Sequence, residues 1–76
     1  MDFDTVKFLV ETYPLIELEE AQEAIVSGKD PEIEVSGRSD GQKLSQLIAA
    51  VWVLNKMNEE QVDIVTAFNL YQESLR

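Results

Sequence analysis

Phe3, Val6, Leu9, Val10 and Tyr13 open the chain with apolar side chains three or four positions apart, which gathers them on one face of a helix. Asp2 or Asp4 is placed to cap the free amides at its start, so the pattern predicts a first helix over about residues 3–12. Pro14 lacks an amide hydrogen and disfavours helical dihedrals at Tyr13, which ends that helix, yet proline is tolerated in the first turn of the next. Leu15, Leu18, Ala21, Gln22, Ile25 and Val26 continue the period opposite Glu17, Glu19, Glu20 and Glu23, up to Gly28 as a left-handed stop. That predicts a second helix over about residues 15–27.

The pattern then changes. Glu32-Ile33-Glu34-Val35 alternates polar with apolar after Asp30-Pro31, and Ser36-Gly37-Arg38-Ser39 follows as a loop. The alternation predicts one short strand over about residues 32–36. A lone strand leaves its amides and carbonyls unpaired, so Ile33, Glu34 and Val35 are expected to pair antiparallel with a second copy of the chain, in a homodimer; the alternative is an extended loop laid over the helices.

From about residue 40 to 57 a third helix is predicted, capped by Ser39 or Asp40. Residues 47–54 are eight consecutive apolar side chains, and a helix apolar all round must be covered on every side. It is therefore the central element of the fold, or one of its sides is a subunit interface. Ile64, Val65, Phe68, Tyr71 and Leu75 predict a fourth helix over about residues 63–75. It starts either at Asp63, with Val62 stapled on Ala67, or after Asn58, with Gln61 completing a capping box. The fold class is mainly α: four helices and one short strand in a single domain, residues 1–76.

Charge narrows the function more than it names one. Fifteen acidic residues against six basic ones give a formal charge of −9, which repels a phosphate backbone, so nucleic acid is not an expected partner. A protein partner with a basic surface is. The N-terminus, Met1-Asp2-Phe3-Asp4-Thr5-Val6-Lys7, has no basic region ahead of an apolar stretch, and no run approaches the ~20 apolar residues of a membrane span. The expected location is the cytoplasm, with no membrane partner.

With no histidine and no cysteine, the commonest general base, the thiol nucleophile and the usual zinc ligands are missing. No catalytic residue, cofactor or metal is predicted. The glutamates at 17, 19, 20 and 23 read as a solvated helix face rather than a carboxylate pair in a cleft. In the loop 36–41, Gly37, Arg38, Ser39 and Gly41 precede a helix, where backbone amides are able to hold an anion; a plain connection and cap is the competing reading, since no Gly-Lys-Ser/Thr follows. Trp52 and Tyr71 occupy apolar helix positions and are expected in the core.

Small size, acidity and four helices invite comparison with acyl carrier proteins, whose arm-bearing serine follows an aspartate. Here Asp40 precedes Gly41, and Ser45 lies within Lys43-Leu44-Ser45-Gln46-Leu47, so that motif is absent. Ala21-Gln22-Glu23-Ala24-Ile25 before Gly28, Ile33-Glu34-Val35, and Gly41-Gln42-Lys43-Leu44 leading to Ala49-Ala50-Val51-Trp52 together resemble a group of short uncharacterised acidic bacterial proteins, along nearly the whole chain. The resemblance supports the fold and implies no activity. The functional expectation is a non-enzymatic interaction or adaptor module with an acidic surface, the alternative being a small-molecule or anion binding module using the loop 36–41.

Overall fold

The first helix begins where an aspartate caps it: the Asp2 carboxylate accepts from the Asp4 amide at 3.2 Å and from the Thr5 hydroxyl at 3.1 Å. A computed structural model describes residues 2–76, with four helices among them. These are α1 (Phe3–Thr12), α2 (Leu15–Val26), α3 (Asp40–Glu60) and α4 (Ile64–Ser74). Tyr13 and Pro14 are both extended, at φ −120° and −69°, and make the corner that Pro14 imposes between α1 and α2. α2 stops one residue earlier than its pattern suggests, at Val26. There Gly28 takes φ +79°, its amide bonds the Ile25 carbonyl, and the Lys29 amide bonds that of Ala24 at 2.8 Å. This pair of bonds satisfies the last carbonyls and turns the chain back along the helix.

α3 runs three residues past its expected end, to Glu60, and stops at Gln61 in the left-handed region, φ 55°. The side chain of Gln61 donates to the Asn58 carbonyl at 2.8 Å, so Asn58 serves α3 rather than capping α4. Asp63 is the cap of α4, accepting from the Thr66 amide at 2.8 Å. At 21 residues α3 is about 31 Å long and matches the 33 Å longest dimension of the molecule. α1, α2 and α4 each pack on α3 and scarcely on one another. Leu47, Ala49, Ala50 and Val53 of α3 are fully buried, meeting Val6 and Leu9 from α1, Leu18 from α2 and Ala67 from α4 in one core. The apolar run is thus the centre of the fold. Its cover is incomplete: Ile48 remains 40% exposed.

The expected strand at 32–36 is not there; no described residue is in a strand, and nothing in this segment forms a ladder for a second copy. The alternation itself is real, with Val35 buried and Ile33 half-buried while Glu32 and Glu34 face out. Helix side chains and Tyr13 supply the partners that a sheet would have supplied. The Tyr13 hydroxyl accepts from the Glu34 amide at 3.3 Å, and Gln46 Nε2 donates to the Ser36 carbonyl at 2.7 Å. Residues 29–36 are therefore a loop laid over the helices, bent at Glu32 and Ile33.

Candidate functional site

The turn at Gly28 brings two acidic stretches face to face. On α2, Glu17, Glu20, Ala21 and Ala24 stand at three- and four-residue spacings and share a face. The returning segment 29–34 runs beside it, and Tyr13 adds to the lining. Between them lies an open trough of about 750 Å³. Its charged groups are Glu17, Glu20, Asp30, Glu32 and Glu34 against Lys29. Ala21 and Ala24 keep the α2 wall low, which leaves the carboxylates as its rim; the polar residues stay in water, where they need no buried partner.

Val35 and Ile33 fasten the outer wall to the core, and the Tyr13–Glu34 bond ties its last residue to the end of α1. Phe8, itself 48% exposed, packs edge-on against Tyr13 with ring centres 6.2 Å apart and fixes that ring. Among the described residues no three carboxylates converge closely enough to hold a metal ion. The arrangement is an open, negative channel with an aromatic side chain in its lining, suited to attracting cationic side chains without enclosing them.

Of the residues singled out in the sequence, Ile33 and Glu34 line this site, and Val35 beside them is buried in the core; none of the three is in a strand. Of the four glutamates on the polar face of α2, two, Glu17 and Glu20, line the channel, while Glu19 and Glu23 are exposed outside its lining. Gly37, Arg38, Ser39 and Gly41 follow it closely in the chain and form the entrance to α3, outside the lining of the channel. There Ser39 Oγ accepts from the Gln42 amide at 3.2 Å, and Gln42 Oε1 reaches back to the Arg38 amide at 2.8 Å. The Arg38 amide of that loop and the Gln42 amide just after it thus already have acceptors, and the carboxylate of Asp40 sits in the first turn. Gly37, at φ 150°, lets Lys43 close on the loop; a Cβ there would meet Lys43 Cγ at 3.0 Å.

Tyr71 is buried as expected, whereas Trp52 is half-buried at the edge of the core, its ring 5.3 Å from that of Tyr71. Lys56 lies 5.1 Å over Trp52 and pairs with Glu60 at 2.6 Å; the hydrogen bond it donates to Glu60 raises the Lys56 pKa. Sequence reasoning missed the channel, since it treated the acids of α2 and of 30–34 separately. The Gly28 turn is the signal that joins them.

Among the described residues no helix is long and apolar enough to cross a membrane. No curated protein and no solved structure is recognisably similar to the chain. A family model does match, over residues 1–76, and the chain belongs to the family of unknown function DUF6952.

Proposed function

We propose that the chain is a cytoplasmic, non-enzymatic interaction module, and that the channel between α2 and residues 29–34 receives a basic segment of a partner protein. The observation that carries this reading is the convergence of five carboxylates and one lysine around an open trough lined in part by Tyr13. Such a rim raises the local concentration of a cationic chain and holds it by many weak, water-exposed contacts. Affinity is then modest and falls with salt. An adaptor role, bringing a basic tail to a particular place, asks no more chemistry than this.

The test is an amide-shift titration with a lysine-rich decapeptide, followed by two double charge reversals. Glu17→Lys with Glu20→Lys weakens binding by about tenfold, while Glu19→Lys with Glu23→Lys, equal in charge and on the same helix but off the channel, changes it far less. Shifts are expected at Tyr13, Glu17, Ala24 and Glu34. Equal weakening by both double variants would show attraction to an acidic surface in general and sink the channel reading.

A further inference from the structure

Two of the chain's three glycines bracket the loop that forms the outer wall of the channel. Gly28 stands before it at φ 79° and Gly37 after it at φ 150°, backbone angles that other residues rarely take. Between them little holds residues 29–36 down. Among the described residues no backbone–backbone hydrogen bond involves residues 30–38, and the one ion pair is that of Lys56 with Glu60, which leaves Lys29 unpaired. The attachments are the burial of Val35, the half-burial of Pro31 and Ile33, and two side-chain bonds. One of these, from the Glu34 amide to the Tyr13 hydroxyl, is long at 3.3 Å. The other, from Gln46 Nε2 to the Ser36 carbonyl, is short at 2.7 Å, but the same carboxamide holds its Oε1 buried without a donor. An acceptor cut off from water in this way works against the bond beside it.

We infer that residues 29–36 are a strap that swings on Gly28 and Gly37 and opens the channel while the helices stay folded. At its two ends the glycines absorb a change of backbone angle that a side chain would resist. Charge adds to the tendency. The closed strap sets Asp30, Glu32 and Glu34 across the channel from Glu17 and Glu20, with Lys29 as the one cation in the lining, so like charges press the walls apart. Opening lets water reach Gln46 Oε1, but Val35 has to leave the core, so the open form is a minor one of about 1%. Whatever neutralises both walls at once favours the closed form. Salt does so by screening, and a basic segment lying between the walls does so by bridging them. The swing itself does not depend on what the channel binds. Closure by a basic segment rests on the function proposed above, and makes the strap the part that turns encounter into retention.

Relaxation-dispersion NMR of the full chain, which reads exchange on the microsecond-to-millisecond scale, tests the inference, with circular dichroism as the check on folding. In the wild-type chain exchange is expected at Ile33 and Val35 and not at Ala49 or Val53. Gly37→Ala cannot keep the closed backbone angle without strain, and its Cβ meets Lys43 Cγ at 3.0 Å, so the open population rises by about tenfold. Glu17→Gln with Glu20→Gln removes repulsion and lowers it by about threefold, a change that a damaged fold does not produce. Raising salt to about 0.5 M lowers it too. Flat profiles at Ile33 and Val35 with Gly37→Ala included overturn the proposal. So does exchange of the same rate and population at Val53, which is unfolding of the whole chain, or an open population that salt or the paired glutamine variant raises. The lysine-rich decapeptide separates the strap from the channel's function. Damped exchange on its addition supports both, whereas a strap that swings as expected beside a peptide without effect sinks the basic-segment reading and leaves the strap standing.

Discussion

Asp63 shows how one side chain sets the start of an element. Its carboxylate accepts the Thr66 amide, and this bond, with the Thr66 hydroxyl adding to it, holds its pKa below the ordinary value of 3.8. The folded value lies below the unfolded one, so the cap's contribution is present above the ordinary carboxylate range and is lost as pH falls through the folded pKa. An NMR titration should therefore place the Asp63 midpoint below 3.8, with the Thr66 amide signal moving in step. Asp63→Asn keeps an acceptor for that amide and removes the movement. A midpoint at or above the ordinary value would mean that the cap is not formed in solution. Two positions earlier, Gln61 closes α3 in a comparable way: it is a left-handed residue without the freedom of glycine, held by its own side-chain bond to the Asn58 carbonyl.

At the scale of elements, helix starts and stops were largely written in local chemistry. Asp2, Pro14, Gly28, Ser39 and Asp63 act within a turn of themselves, and each helix begins or ends beside one of them. The segment 32–36 was legible only in part. Its alternation fixed which side chains face the core, but the partners of its backbone come from Tyr13, 21 positions away from Glu34, and from Gln46, 10 positions away from Ser36. A periodicity carries no information about such distant acceptors and donors, and for that reason a strand and a loop looked alike. The channel was hidden for the same cause, since its two walls adjoin only after the chain reverses. Val35→Ala should cost about 2 kcal/mol in denaturant unfolding, because it empties a core position. Tyr13→Phe should cost about 0.5–1 kcal/mol and speed amide exchange at Glu34 in particular. If both variants unfold like the wild-type chain, the segment is not anchored as described.

The whole molecule is a hub with three spokes, since α1, α2 and α4 rest on α3 far more than on each other. That layout makes stability uneven in a predictable way. A spoke can detach and leave the hub with its other neighbours, whereas α3 cannot unravel without releasing all of them. Native-state hydrogen exchange should then sort the amides into tiers. Those in the middle of α3, around Ala49 to Val53, exchange through complete unfolding alone. Those of α4, the spoke at the C-terminal end, exchange through a smaller opening that spares α2. Equal protection in α4 and α3 would show a single cooperative unit instead. With tiers, the helix that organises the fold is also the last to yield, and any partner gripping one spoke can loosen it while the rest of the chain keeps its shape.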